Sequence, residues 1–304
     1  MNALEISNVS KSYGTHIALN SVSFNVEQGD FVGLLGVNGA GKTTLISSIA
    51  GINKFNGRIK VMGHDVISDV VRAKRNLGVV PQELAYDPFL TVYQTLKFQS
   101  GLYGVSNNHD WLDEVIDGMH LKDKINTKTR GLSGGMKRRL MVAQALVHKP
   151  PVIILDEPTA GVDVEIRKSL WGFIKKLNNA GHTILLTTHY LEEVEQVCNK
   201  IVMIDKGNIL AKSSTNDLMN HTHNLPTTVK IETKNGSFST SLQDKVLNQD
   251  GNVFTLRLNN SDELLLILNT LKESGVSFGD IAINRPSLED IFINFIRRDS
   301  TSGV

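Results

Sequence analysis

The stretch GLLGVNGAGKTTLISSIAG, Gly33 to Gly51, sets bare backbone around one lysine and runs into an apolar segment with helical spacing. Within it Gly36, Val37, Asn38, Gly39, Ala40, Gly41, Lys42 and Thr43 fit the pattern G-x-x-x-x-G-K-[ST]. Glycines let successive N–H groups turn inward around a polyphosphate, and the N-terminus of the following helix adds partial positive charge. In that chemistry Lys42 reaches the β- and γ-phosphates, Thr43 ligates Mg²⁺, and Asn38 to Thr44 line the cradle. The flanks fit the task, since DFVGLLG reads as a strand and GKTTLISSIAG as a helix closed by glycine.

VIILDEP adds a pair of carboxylates, Asp156 and Glu157, at the end of a wholly apolar strand. A strand apolar on both sides belongs in a sheet covered on both faces, so the fold class is α/β with a parallel sheet. At the strand tip Asp156 suits an Mg²⁺ contact opposite Thr43, and Glu157 could polarise water for attack on a γ-phosphate. The phosphate loop alone says only that a nucleoside triphosphate binds, leaving kinase, GTPase and ATP-driven motor open, and this stretch and the next decide among them.

GLSGGMKRRLMVAQALVHKP holds a second anion-binding arrangement, a serine hydroxyl and glycine amides at a helix start. The chain already has a phosphate cradle, so the economical solution is two copies head to tail, each lending this loop to the other's nucleotide. On this stretch the sequence resembles the ATP-binding cassette (ABC) ATPases, whose LSGGQ signature is matched except that Met136 stands in place of the glutamine. The resemblance implies a P-loop nucleotide-binding core, ATP and Mg²⁺ as cofactors, and contacts from Ser133, Gly134 and Gly135 to the partner's ATP. It further implies adenine stacking on Tyr13 in SKSYG and a hinge glutamine, Gln82 in VVPQE, that meets Mg²⁺ and water. It also implies a seam-crossing loop at Asp163 in TAGVD and a γ-phosphate contact from His189 in LLTTHYLEE. Asp163 reads equally as the N-cap of the helix that begins VEIRKSLWGFI. Catalysis on this reading falls to Glu157, His189 and Lys42.

These residues need a scaffold, and its elements can be traced along the chain. Strands are expected near 5–9, 22–25, 31–35 and 58–62, with a charged helix through Arg72. From about 83 to 149 the pattern is mainly helical and ends in the signature loop. Tyr86, Phe89, Leu90 and Tyr93 lie where the resemblance implies that a membrane subunit docks. The ABC domain is expected over 1–220. A polar linker follows, and then a small α+β unit over 221–304 with a hairpin turning at Asn235-Gly236. Its last helix, in NRPSLEDIFINFIRR, is expected to be capped by Ser287 and Asp290 and to bury Leu288, Ile291, Phe292 and Phe295. This ending resembles the exporter branch that handles drugs and polysaccharides.

Composition narrows the partners. Lys and Arg total 32 against 31 Asp and Glu, a net charge of +1 that provides no field for nucleic acid. Lys137, Arg138 and Arg139 are accordingly read as a charged helix face, His221 and His223 as too isolated for a metal, and Cys198 as a packed small hydrophobe. The opening MNALEISNVS lacks the form of a signal peptide, and no apolar run is long enough to span a bilayer. The expectation is a homodimeric ATPase held peripherally at the cytoplasmic face of the membrane by an integral permease. The less favoured reading is a soluble ABC-type regulator with no membrane partner.

Overall fold

The runs FVGLL, VIILD and TILLT become strands in which every residue is buried, as a sheet covered on both faces requires. They lie in a computed structural model that describes residues 1–83, 85–220, 227–235, 240–258, 261–284 and 286–301. The strands of the first unit are β1 (Asn2–Tyr13), β2 (His16–Glu27), β3 (Phe31–Leu35), β4 (Asn56–Val61), β5 (His64–Asp65), β6 (Leu77–Val80), β7 (Val152–Asp156), β8 (Thr183–Thr187), β9 (Lys200–Asp205) and β10 (Asn208–Ser214). They form one sheet ordered β2-β1-β4-β5 and a second ordered β10-β9-β3-β8-β7-β6. In the second sheet β9, β3, β8, β7 and β6 run parallel, so their carboxyl ends emerge along one edge. Ligands of open α/β sheets bind outside those ends.

Helices α1 (Lys42–Ile49), α2 (Val70–Arg75), α3 (Val92–Leu102), α4 (His109–Gly118), α5 (Gly134–Leu146), α6 (Val164–Asn179) and α7 (Leu191–Val197) complete this part, and α8 (Thr215–Asn220) begins on its last residue, Thr215, and otherwise belongs to the second unit. The expected helical stretch thus contains α3, α4 and α5. Thr91 and Gln94 close a reciprocal capping box at the start of α3. The Trp111 indole and the Asn108 amide of the α4 region donate to the carbonyls of Leu146 and Val147, each at 2.7 Å, and so fasten α4 to the end of α5.

Chain contacts divide the molecule into Met1–Thr215 and Asn216–Val304. The second unit contains β11 (Thr227–Asn235), β12 (Val246–Asp250), β13 (Val253–Leu258), α9 (Ser261–Glu273), β14 (Ser277–Asn284) and α10 (Leu288–Thr301). Its sheet is antiparallel in the order β12-β13-β11-β14, and Val229, Ile231, Leu256, Ile267 and Leu271 form its core. β11 is a central strand, paired with β13 on one edge and β14 on the other. The expected turn at Asn235-Gly236 runs into 236–239, outside the described residues, as do His221 and His223. The Ser287 and Asp290 cap forms as expected, with the Asp290 N–H donating to Ser287 Oγ at 3.2 Å and the Ser287 N–H to Asp290 Oδ2 at 2.9 Å. Leu288, Ile291 and Phe292 are buried and Phe295 is half-buried.

Candidate active site

The edge formed by the carboxyl ends of β3, β6, β7 and β8 gathers most of the chemistry. Between β3 and α1 the chain wraps as a loop whose Gly41, with φ +109°, sits in the left-handed region. A Cβ at Gly41 would lie 2.6 Å from the Ala18 carbonyl oxygen, and one at Gly36 would lie 2.5 Å from that of Ile204. Neither position has room for a side chain. The Lys42 ammonium turns back over this loop and donates to the Gly36 carbonyl at 2.7 Å and to the Val37 carbonyl at 3.1 Å. Burial pulls the Lys42 pKa down, and the carboxylates of Glu157 and Asp156 oppose that pull.

A cavity of about 420 Å³ is lined by Tyr13, His16, Ala18, Asn38, Gly39, Ala40, Gly41, Lys42, Thr43, Thr44, Gln82, Asp156 and Glu157. It therefore joins residues from four separate stretches of chain, 13–18, 38–44, 82 and 156–157. Asp156 ends β7, is 3 % exposed, and accepts a hydrogen bond from the Thr187 hydroxyl of neighbouring β8. Burial raises the Asp156 pKa, as does the Glu157 charge, while the Thr187 hydroxyl, Arg138 and Lys42 lower it. Asp156, the Thr43 hydroxyl and the Gln82 amide share the cavity, and they are the hard oxygen donors that suit Mg²⁺. A divalent cation would also offset the cost of ionising so buried a carboxylate.

Glu157 follows the end of β7 and also lines the cavity. Its backbone has φ +51°, a left-handed conformation that costs a non-glycine residue roughly 1–2 kcal/mol. The strain is held in place from both sides, because the Glu157 N–H donates to the Thr187 carbonyl at 3.0 Å and its own carbonyl accepts from Arg138 at 2.5 Å. The carboxylate is thereby aimed into the cavity. Its Oε2 accepts from the Gln82 amide at 3.3 Å and its Oε1 lies 3.4 Å from His189 Nδ1. Tyr13 stands at the cavity rim, half exposed, with its hydroxyl accepting from Asn53 at 3.0 Å.

Residues 19–160 match the family model described as ABC transporter. Over 218 residues the chain is 39 % identical to the linearmycin resistance ATP-binding protein LnrL of Bacillus subtilis (strain 168), covering 71 % of this chain and 70 % of that relative. The chain belongs to the ABC transporter ATP-binding family. The likeness extends to nearly the whole chain in the Nod factor export ATP-binding protein I of Cupriavidus pinatubonensis (strain JMP 134 / LMG 1197), 33 % identical over 304 residues, 97 % of this chain and 91 % of that one. A solved ATP-binding subunit of an ABC transporter superposes with a TM-score of 0.69 at 28 % identity, covering 72 % of this chain and 93 % of that chain. The cassette is thus an ATP-binding, ATP-hydrolysing transporter subunit of α/β P-loop fold, the fold class read from its motifs.

The cassette's remaining motif residues lie apart from its own cavity lining. Ser133 caps α5, its hydroxyl accepting from the Met136 N–H at 3.3 Å, and Gly135 packs so closely on the next loop that a Cβ would sit 3.3 Å from the Gly161 carbonyl. Asp163 occupies the N-cap position of α6, yet its side chain makes no capping hydrogen bond. The signature loop and the Asp163 loop are therefore neighbours in one copy, while Ser133, Gly134, Gly135 and Asp163 do not line that copy's cavity.

One reading needs correction. Arg138 and Arg139 are not a solvated face, being only 2 % and 6 % exposed. Their partners are carbonyl oxygens far away in sequence. Arg139 donates to those of Met119 and His120, while Arg138 reaches those of Pro81, Gln82, Asp156 and Glu157. Helical spacing held a signal, because Arg138 shares its stripe with buried Met141, Val142 and Ala145. Sequence reasoning also missed His16 and Ala18 on the cavity wall. It missed Glu193 as well, whose buried carboxylate accepts from the hydroxyls of Thr159 at 3.2 Å and Thr188 at 2.8 Å and so ties the loop before Asp163 to the loop of His189. Cys198 is buried as expected, and burial pushes its thiol pKa up.

Proposed function

We propose that two copies of this cassette close around two ATP molecules, hydrolyse them, and reopen, driving a separate integral membrane permease that exports a solute. The observation that carries the reading is the division of the motifs: the phosphate loop and carboxylates share one cavity, and the hydroxyl-capped start of α5 lies outside it. Closure in a two-fold dimer places each copy's Ser133, Gly134 and Gly135 on the other's triphosphate. Export is supported by the roles for which the relatives are named, linearmycin resistance and Nod factor export.

In this reading adenine stacks on Tyr13, and the amides from Gly36 to Thr44, with Val37, Asn38, Gly39, Ala40 and Gly41 between, wrap the phosphates. Lys42 leaves its loop carbonyls for the β- and γ-phosphates. Glu157 takes a proton from water as the water oxygen attacks the γ-phosphorus, and the bond to the β-phosphate oxygen breaks to release ADP. Gln82 orients that water, and His189 donates to the γ-phosphate. Asp163 lies at the seam between copies. Thr43, Asp156 and Gln82 would hold Mg²⁺, which would supply charge neutralisation for the phosphates.

Phe89 and Phe98 are 69 % and 62 % exposed on the helical region, and with Tyr93 they offer an apolar surface to the permease. No helix among the described residues is long and apolar enough to cross a membrane, so attachment at the cytoplasmic face falls to that permease. Purification of the tagged chain from detergent-solubilised membranes is expected to bring down a polytopic membrane protein, and Phe89→Asp with Phe98→Asp to release it. Recovery of the chain with ribosomes or DNA, and with no membrane protein, favours the soluble-regulator reading instead.

A further inference from the structure

We propose that Arg138 is a positioning residue that sets the Gln82 loop and the Glu157 backbone from the signature helix, linking the loop a copy lends to its partner with the copy's own hydrolytic base. Its guanidinium is 2 % exposed and spends its terminal nitrogens on two pairs of carbonyls. One nitrogen donates to Pro81 at 2.6 Å and Gln82 at 2.8 Å, and the other to Asp156 and, at 2.5 Å, to Glu157. Those pairs belong to the loop after β6 and to the end of β7 with the residue that follows it. Their side chains, Gln82 and Glu157, meet in the cavity at 3.3 Å.

The planar fork explains why arginine stands here. A guanidinium has five donors in fixed directions and can bridge two neighbouring peptide chains, whereas an ammonium is a point charge with three. Four carbonyl dipoles on one buried cation also serve the strained Glu157 backbone, whose φ is +51°. Without the fork that carbonyl loses an acceptor role that helps hold the left-handed turn, and the carboxylate loses its aim. Arg138 follows Ser133 on the same rigid helix by about one and a half turns. A shift of the signature loop on the partner's phosphate therefore moves the group that fixes this copy's Gln82 and Glu157.

The inference rests on the proposed catalytic reading, and the experiment separates the two. MgATP affinity and steady-state turnover of the full chain are measured for Arg138→Gln, Arg138→Lys and Glu157→Gln. Arg138→Gln is expected to keep Kd for MgATP within about threefold of the parent and to lower kcat at least tenfold, roughly the loss seen when oriented groups are misplaced. Arg138→Lys, with charge but no fork, is expected to have a kcat between those of the parent and Arg138→Gln. A folded Arg138→Gln chain with parental kcat overturns the inference, as does a Kd that rises in proportion to the loss of kcat. If Arg138→Gln does not fold, Arg138→Lys decides alone, with parental kcat again overturning the claim and a lowered kcat at unchanged Kd supporting it. Parental turnover in Glu157→Gln would instead sink the underlying reading, whatever Arg138 does.

Discussion

Glu157→Gln retains MgATP binding and loses about 10²- to 10⁴-fold in turnover, the range that a positioned general base contributes. The substitution keeps the size and the backbone demands of the residue, so the strained turn at φ +51° and its bonds to Thr187 and Arg138 survive. What disappears is the proton acceptor. With hydrolysis blocked, the closed pair of cassettes has no route to reopening, and light scattering in MgATP is expected to show dimers where the parent shows a mixture. A Glu157→Gln chain that hydrolyses ATP at the parental rate removes Glu157 from the mechanism.

Lys42→Ala is expected to weaken MgATP binding by about 1.5–3 kcal/mol, or roughly 10- to 150-fold in Kd, the value of a hydrogen bond to a charged group. Lys42 and His16 are the basic side chains that line the cavity, facing the acids Asp156 and Glu157. Removing the ammonium leaves those carboxylates to repel a triphosphate. The burial that lowers the Lys42 pKa also lowers the cost of handing its charge from the loop carbonyls to phosphate, because the lysine is already partly desolvated. Titration with a fluorescent ATP analogue measures the loss, and an unchanged Kd would deny Lys42 any part in phosphate binding.

The parts of the site that were legible in the sequence are those whose chemistry is written in consecutive residues. The phosphate loop needs glycines at fixed offsets, and the strand that ends at Asp156 announces itself by four apolar residues in a row. Tyr13, Gln82, Asp163 and His189 carry little signal alone and were placed through resemblance to a family. Arg138 escaped because its partners, at 81–82 and 156–157, are backbone atoms with no side-chain pattern to betray them. Glu193 escaped for a related reason, since its partners Thr159 and Thr188 belong to two loops that meet only in the fold.

Strand lengths were underestimated where pairing is irregular. β1 and β2 each run 12 residues, far past the expected 5–9 and 22–25, because repeated register shifts break the alternation that marks a strand. β14 went unnoticed for the same cause, a shift between its pairs with Ile231 and Thr233 next to Gly279 and Asp280.

Mixing two crippled chains tests most directly whether each ATP is completed by two copies. A Lys42→Ala chain damages the phosphate loop, and a Ser133→Arg chain damages the loop lent to the partner. Each is expected to be nearly inactive alone, yet a mixed dimer contains one intact phosphate loop facing one intact signature loop. An equimolar mixture should therefore recover up to roughly a quarter of parental turnover, since half of randomly formed pairs are mixed and each holds one good site of two. Full turnover by Ser133→Arg alone, or a mixture as silent as its parts, would contradict the account.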